Sequence, residues 1–439
     1  MVRGFFITLN LYGHLSIYIC MALTIQDQPT TNIPEPSFAP IEYLVSSTET
    51  AQSGFKVIAS LFTDPTGANT KIATLQLNTI PSATQVVTDI QNIIQSFVTS
   101  DYSVLAGDTI GVSQSALKDF KIAFQEYYSG ALQGSAVSGN TFTSWNSSPK
   151  YIEWADLSEG YKKYEKWKVE DSIANNDGEF LNGFEQQDEW FNFSSSNNFV
   201  RVMPTQKYQT SWIMKPNNSS TYQIHLKTLD STFTALTTST LSIPNTESLY
   251  TLDIGLAELD SHSWSVTPNT TDSKYYALRI LDVTNDFWAT NTIMFEIDRC
   301  ENTYTDYELH WLNRKGGYDS YTFTGKSNQA TSINKNFAKY NTRSIGTSSI
   351  THNTYAQRKR AFHTSLKDNY RLNSRLLKDF EVTALEDLFS SPEVYWKYDT
   401  NFVSVNVTGN TFEHAKSENG QVYSMEVSME IDNSDKRQW

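Results

Sequence analysis

Between residues 306 and 326 (DYELHWLNRKGGYDSYTFTGK) apolar side chains fall on every second position: Tyr307, Leu309 and Trp311, then, past Gly316 and Gly317, Tyr321 and Phe323. A period of two on both sides of a short Asn/Gly loop predicts a β-hairpin. The paired glycines are expected to supply the positive φ of a tight reversal, with Asn313 at its entry. Trp311 is expected to meet aromatic residues across the pair. Trp311, Asn313, Gly316, Gly317, Tyr321 and Phe323 are therefore read as a structural hairpin; an aromatic ligand platform is the other use such residues have.

The same alternation recurs at 41–45, 55–62, 71–77, 120–128, 212–214, 221–229, 249–254, 275–282 and 291–298. It returns at 402–408, 411–416 and 421–431, where Asn419 and Gly420 form the two-residue turn of a last hairpin. Helical spacing is confined to two places. Residues 86–98 (VVTDIQNIIQSFV) carry apolar positions that fit a short amphipathic helix. Thr383-Ala384-Leu385-Glu386 has the pattern of a capping box, opening a helix that ends before Pro392. The Gly/Ala/Ser run 130–140 reads as a flexible loop.

Short strands separated by Asn, Pro and Ser turns predict a mainly β protein with two or more β-sandwich-like domains, short helices and extended arms. The expected division is an extended N-terminal arm at 21–37, a β-sandwich-like domain at 38–150 and a mixed linker region at 151–205. A second β domain, 206–324, includes the central hairpin. A polar loop or arm at 325–354 precedes a C-terminal β domain with one short helix at 355–439. A structureless stretch as long as 325–354 is usually functional, often reaching a neighbour.

Residues 1–20 (MVRGFFITLNLYGHLSIYIC) differ from the rest in being apolar after one early arginine. A secretory leader, a membrane anchor and an upstream extension before a true start at Met21 are all open. Asn10, His14 and Ser16 interrupt the apolar run, and no small-residue cleavage site follows, which favours the extension. No stable membrane insertion is expected.

Composition narrows the class. Of 439 residues 13% are aromatic and only 19% charged, a mix that suits strands and polar turns better than long surface helices. The net charge of −14 repels phosphate, so no nucleic acid is expected as partner. Arg358-Lys359-Arg360 is the one candidate basic patch, and three charges are more simply a solvated face.

Catalytic and metal-binding patterns are missing. The seven histidines (14, 225, 262, 310, 352, 363 and 414) are scattered with no ligand spacing, and His310 beside Trp311 reads as a hydrogen-bonded structural residue. Cys20 and Cys300 make neither a disulfide framework nor a zinc site, and Cys300 reads as a small buried apolar residue. No strand leads into a glycine-rich phosphate loop, and no Gly-x-Ser-x-Gly elbow occurs. Glu179, Glu185, Asp188 and Glu189 near Trp190 are the only hint of a glycan-cleaving pair. The expectation is a chain without catalytic residues, cofactor or metal.

Three segments resemble a group of virion structural proteins from tailed phages of Bacteroidota, including crAss-like phages. They are Phe180-Leu181-Asn182-Gly183, the run from Met294 to Cys300 and on through Trp311-Leu312-Asn313-Arg314-Lys315-Gly316-Gly317-Tyr318-Asp319, and 385–396 (LEDLFSSPEVYW). The stretch 40–61 is also similar to their first strands. Lys315 and Tyr318 depart from the pattern around the glycines. The resemblance implies a β-rich tail, neck or baseplate component, assembled in the host cytoplasm into a homo-oligomeric ring with copies of itself and other virion proteins. It carries over no catalytic residue. Alternatives from other classes are a secreted or surface carbohydrate-binding β-sandwich protein of a Bacteroidota cell and a glycan-active enzyme.

Overall fold

Alternating sequences with β-branched and aromatic residues close into sheets when one face finds a core. The computed structural model describes residues 23–31, 33–65, 67–80, 84–100, 110–113, 116–154, 163–170, 178–188, 190, 193–194, 198–215, 220–300, 304–341, 343–352, 358–409 and 424–431. These residues are mainly β, in several separate sheets, and only one of their four α-helices exceeds a single turn. The leader (1–20) and the turn at Asn419-Gly420 lie outside the described residues, as does the expected strand 411–416. The chain divides into two compact units, 1–101 with 114–165 and 102–113 with 166–439.

The first unit holds β1 (Thr24–Asp27), β2 (Glu35–Pro36), β3 (Glu42–Ser46), β4 (Lys56–Thr63), β5 (Thr70–Leu77) and β6 (Gln85–Asp89). α1 (Gln91–Ile94) follows; β7 (Gly111–Ser113) belongs to the second unit; β8 (Leu117–Tyr128) and β9 (Ala131–Trp145) return to the first. One sheet runs β1-β3-β6 and the other β2-β9-β8-β4-β5. Ile41, Tyr43 and Val45 share one core with Val57, Leu61, Phe120, Ile122, Phe124 and Phe142. The ring of Tyr43 lies 5.5 Å from that of Phe124, joining the inner faces of the two sheets.

Two expectations fail here. The amphipathic helix expected at 86–98 is only helical over Gln91–Ile94: Val86 to Asp89 belong to β6, which pairs with β3, and 95–98 are turn and coil. Val86 and Thr88 are buried while Val87 points outward, so the β-branched residues follow a period of two that helical counting had absorbed. The flexible loop at 130–140 is part of β9, which pairs with β8 across the two-residue turn Ser129-Gly130. Both turn residues have positive φ, 54° and 81°, as a tight hairpin requires. Small side chains suffice on β9 because most of its first nine positions are exposed.

After α2 (Tyr151–Trp154), which belongs to the first unit, the second unit continues with β10 (Val169–Glu170), β11 (Val200–Val202), β12 (Gln209–Lys215), β13 (Tyr222–Leu229), β14 (Ala235–Ile243) and β15 (Ser248–Asp253). After α3 (Leu256–Leu259) come β16 (Tyr275–Asp282), β17 (Phe287–Trp288) and β18 (Ile293–Ile297). A four-stranded sheet, β10-β12-β15-β7, and a six-stranded one, β11-β18-β16-β13-β14 with β17 beside β16, enclose a shared core. Trp212 and Tyr250 enter it from the first sheet, and Tyr222, Tyr276 and Phe295 from the second.

The remaining strands are β19 (Tyr307–Leu312), β20 (Tyr318–Phe323), β21 (Asn328–Lys339), β22 (Arg343–Ile345), β23 (Ile350–His352) and β24 (Lys359–Asn373). After α4 (Asp379–Ser390) come β25 (Val394–Tyr398), β26 (Asn401–Val407) and β27 (Glu426–Ile431). Seven of them form one sheet, β20-β19-β25-β26-β27-β24-β21, whose apolar face carries α4. The central hairpin thus bonds to β25 near the C-terminus, and not to the sheet of β13 and β16. The helix starts earlier than its expected capping box: Glu381, not Glu386, reaches back, accepting the backbone N–H of Lys378 at 2.8 Å. The stretch expected as a polar loop or arm, 325–354, is built of strands: β21 and the small hairpin β22-β23.

Candidate functional site

The hairpin forms where the alternation places it, with Tyr307 opposite Phe323 and Leu309 opposite Tyr321. Trp311 stands across from Asp319, not from an aromatic residue. Leu309, Trp311, Tyr321 and Phe323 instead pack down onto Val382, Leu385 and Leu388 of α4. At the turn, the Asn313 carboxamide oxygen accepts the N–H groups of Lys315 (3.0 Å) and Gly317 (3.2 Å). The two glycines serve different needs. Gly316 has φ 91°, a region that favours glycine, whereas Gly317 makes room: a Cβ there would lie 2.5 Å from the carbonyl oxygen of Leu181.

Beneath the turn is a buried polar node centred on Asp319, which is fully enclosed. Its Oδ1 accepts from Asn182 Nδ2 (3.0 Å) and the Tyr208 hydroxyl (3.5 Å). Its Oδ2 accepts from Asn313 Nδ2 (2.7 Å) and the Gly183 backbone N–H (2.8 Å). The two asparagines extend the node: Asn313 donates to the Leu181 carbonyl (2.7 Å), and Asn182 to that of Gln209 (2.9 Å) while accepting from Thr210 (2.8 Å). Burial pushes the Asp319 carboxyl up to about 6, against the pull of the Asn313, Asn182 and Gly183 donors.

Two ion pairs and a hydrogen bond surround this centre. Arg314 meets Asp387 of α4 (3.2 Å), Lys315 meets Glu179 (2.5 Å), and the Tyr318 hydroxyl donates to Glu393 (2.7 Å). The segments 180–183, 311–319 and 385–396 therefore meet at one place. Nothing in their periodicity signals this, because the joining residues are isolated polar side chains in turns. Converging donors on a closed-off carboxylate fix the positions of the segments that carry them.

The other singled-out residues are also held in place. His310 is buried and shares Glu308 (2.7 Å) with Lys397 (3.0 Å). Burial alone raises the Glu308 carboxyl, but these two partners outweigh it and hold it below its ordinary value. Among the acids of the suggested glycan-cleaving pair, Glu179 is bound to Lys315, Asp188 to Arg279 (2.8 Å), and Glu185 accepts from Asn198 (2.6 Å). Glu189 lies outside the described residues, as do Cys20, His14 and His414. Cys300 is exposed, not buried: it follows the end of β18, where the chain leaves the sheet. Among the described residues no group of His, Cys, Asp and Glu is arranged to hold a metal ion, and no helix is long and apolar enough to cross a membrane. The described tryptophans are all buried or half-buried.

The longest exposed strand among the described residues is β21, which forms a ribbon with β24. Its strands pair from Asn328↔Arg371 to Lys339↔Lys359, but β27 supports β24 only from Asn369 to Asn373. Beyond that point, among the described residues, the two strands bond only to each other, with β22-β23 following at the tip. Ile333 is 59% exposed, Phe362 64% and Ile345 76%. Arg358, Lys359 and Arg360 belong to this ribbon, and the Lys359 ammonium sits 4.4 Å above the Phe337 ring.

No family model and no curated protein matches the chain. Among solved structures, "Crystal structure of calcium binding domain CBD12 of CALX1.1" is similar at 9% identity over 63% of this chain and all of that one, with a TM-score of 0.19. A likeness at that TM-score carries no argument about fold or function.

Proposed function

We propose that the chain is a non-enzymatic virion structural protein of a tailed phage, a ring-forming tail, neck or baseplate subunit that acts through protein–protein assembly. The observation that carries this reading is the ribbon. A two-stranded β-ribbon is marginal alone in water, and this one offers exposed isoleucine and phenylalanine with an open edge. Such an element gains its stability by docking. The polar node supports the reading too: of the stretches resembling phage structural proteins, 180–183, 311–319 and 385–396 meet there to hold a hairpin, a helix and a turn together, a structural role.

The test is to purify virions of the phage that encodes the chain and sequence their proteins by mass spectrometry, then image the purified full-length chain by cryo-EM. Stoichiometric presence in particles and closed rings of the isolated chain are expected. A chain absent from particles and monomeric at high concentration sinks the proposal.

A further inference from the structure

Charge is distributed unevenly along the chain. Residues 326–373, which span the ribbon and its tip, hold nine of the 34 Lys and Arg but only one, Asp368, of the 48 Asp and Glu. The ribbon therefore carries +8 while the remaining residues carry −22 of the net −14. Its one acid is occupied, accepting from Thr331 Oγ1 at 2.7 Å. The apolar residues are placed with equal order. Ile333 and Leu366 are paired, as are Phe337 and Ala361, on the face that continues from Tyr370 and Leu372 of the core. In the body α4 covers that face; along the ribbon Ile333 and Phe337 stay 59% and 46% exposed.

We infer that the ribbon docks on the acidic body of a second copy of this chain, burying the Ile333–Phe337 row and placing Lys335, Lys339 and Lys359, which share its face, against carboxylates. This rests on the assembly reading and names the partner. Three features favour a copy of the chain over other occupants. A body of −22 is the complement of an arm of +8. The outer edge of β21 is unpaired among the described residues, ready to bond to another strand. Exposed isoleucines gain from an apolar protein surface and nothing from phosphate, while the acidic body repels a nucleic acid.

The test uses the full chain. Sedimentation equilibrium of the wild type is measured from 50 to 500 mM NaCl, beside Lys335→Glu/Lys339→Glu/Lys359→Glu, three exposed positions whose folding is checked by circular dichroism. Self-association that weakens steeply with salt, and at least about thirtyfold in the variant, is expected. As a readout independent of the variant, zero-length carbodiimide crosslinking of mixed ¹⁴N and ¹⁵N wild-type chains should join Lys335 or Lys339 to an Asp or Glu of the other isotope. Equal association of variant and wild type, with no such crosslink, overturns the docking but leaves ring assembly through another surface intact. A wild type that stays monomeric overturns both. Tight binding of a 30-base-pair duplex, lost in the variant, with no self-association, replaces the partner by nucleic acid.

Discussion

Asp319 shows how one side chain turns three distant stretches into a single support. Its carboxylate faces Asn182, Asn313, Gly183 and Tyr208, each aiming a donor at it. Asp319→Asn puts an amide among these donors and leaves some of them unpaired in a dry site, at about 1–3 kcal/mol for each one lost. The loss depends on pH in a defined direction. The folded value, about 6, lies above the ordinary 3.8 of aspartate, so between the two the folded chain holds more protons than the unfolded one. The stability Asp319 contributes is thus fully present below 3.8 and declines as pH rises through 6. Urea unfolding at pH 4 and 7.5 should show the wild type's advantage over Asp319→Asn shrinking by about 2 kcal/mol at the higher pH. An advantage that grows with pH disproves the assignment.

At the scale of elements, most of the sheets were legible because their residues alternate cleanly: β4, β8, β13 and both strands of the hairpin sit where the pattern put them. The misses have physical causes. β6 escaped because Val86, Ile90, Ile94 and Val98, spaced four apart, satisfy a helical and an extended spacing at once. β9 escaped because its first half is mostly exposed, so backbone pairing with β8, not side-chain character, defines it. The ribbon escaped for the same reason, as every residue of β21 but one is exposed. The Asp319 node was beyond reach, since it depends on which turns meet in space. The ribbon's independence makes its own prediction. Joining Ala330 to Asn369 through Asn-Gly, in place of 331–368, should move the thermal unfolding midpoint of the body by no more than about 3 °C and abolish self-association. A body that unfolds without the ribbon contradicts this description.

For the whole molecule, two units with separate cores predict separable responses. Phe124→Ala removes a buried ring from the first unit and Leu385→Ala a buried side chain from the second, each at about 2–5 kcal/mol. In calorimetry each substitution should lower a different transition; a common shift in both variants means the units melt as one. If the ribbon docks on a second copy as proposed, its sign also limits how the copies meet. Two positive arms repel, so an arm-to-arm embrace about a two-fold axis is disfavoured. An arm laid on a neighbour's negative flank is a head-to-tail joint, and each added molecule still offers one free arm and one free flank. Such a chain of joints stops growing only when the last flank receives the first arm, and the number of molecules in the circle is then set by the angle at a single contact.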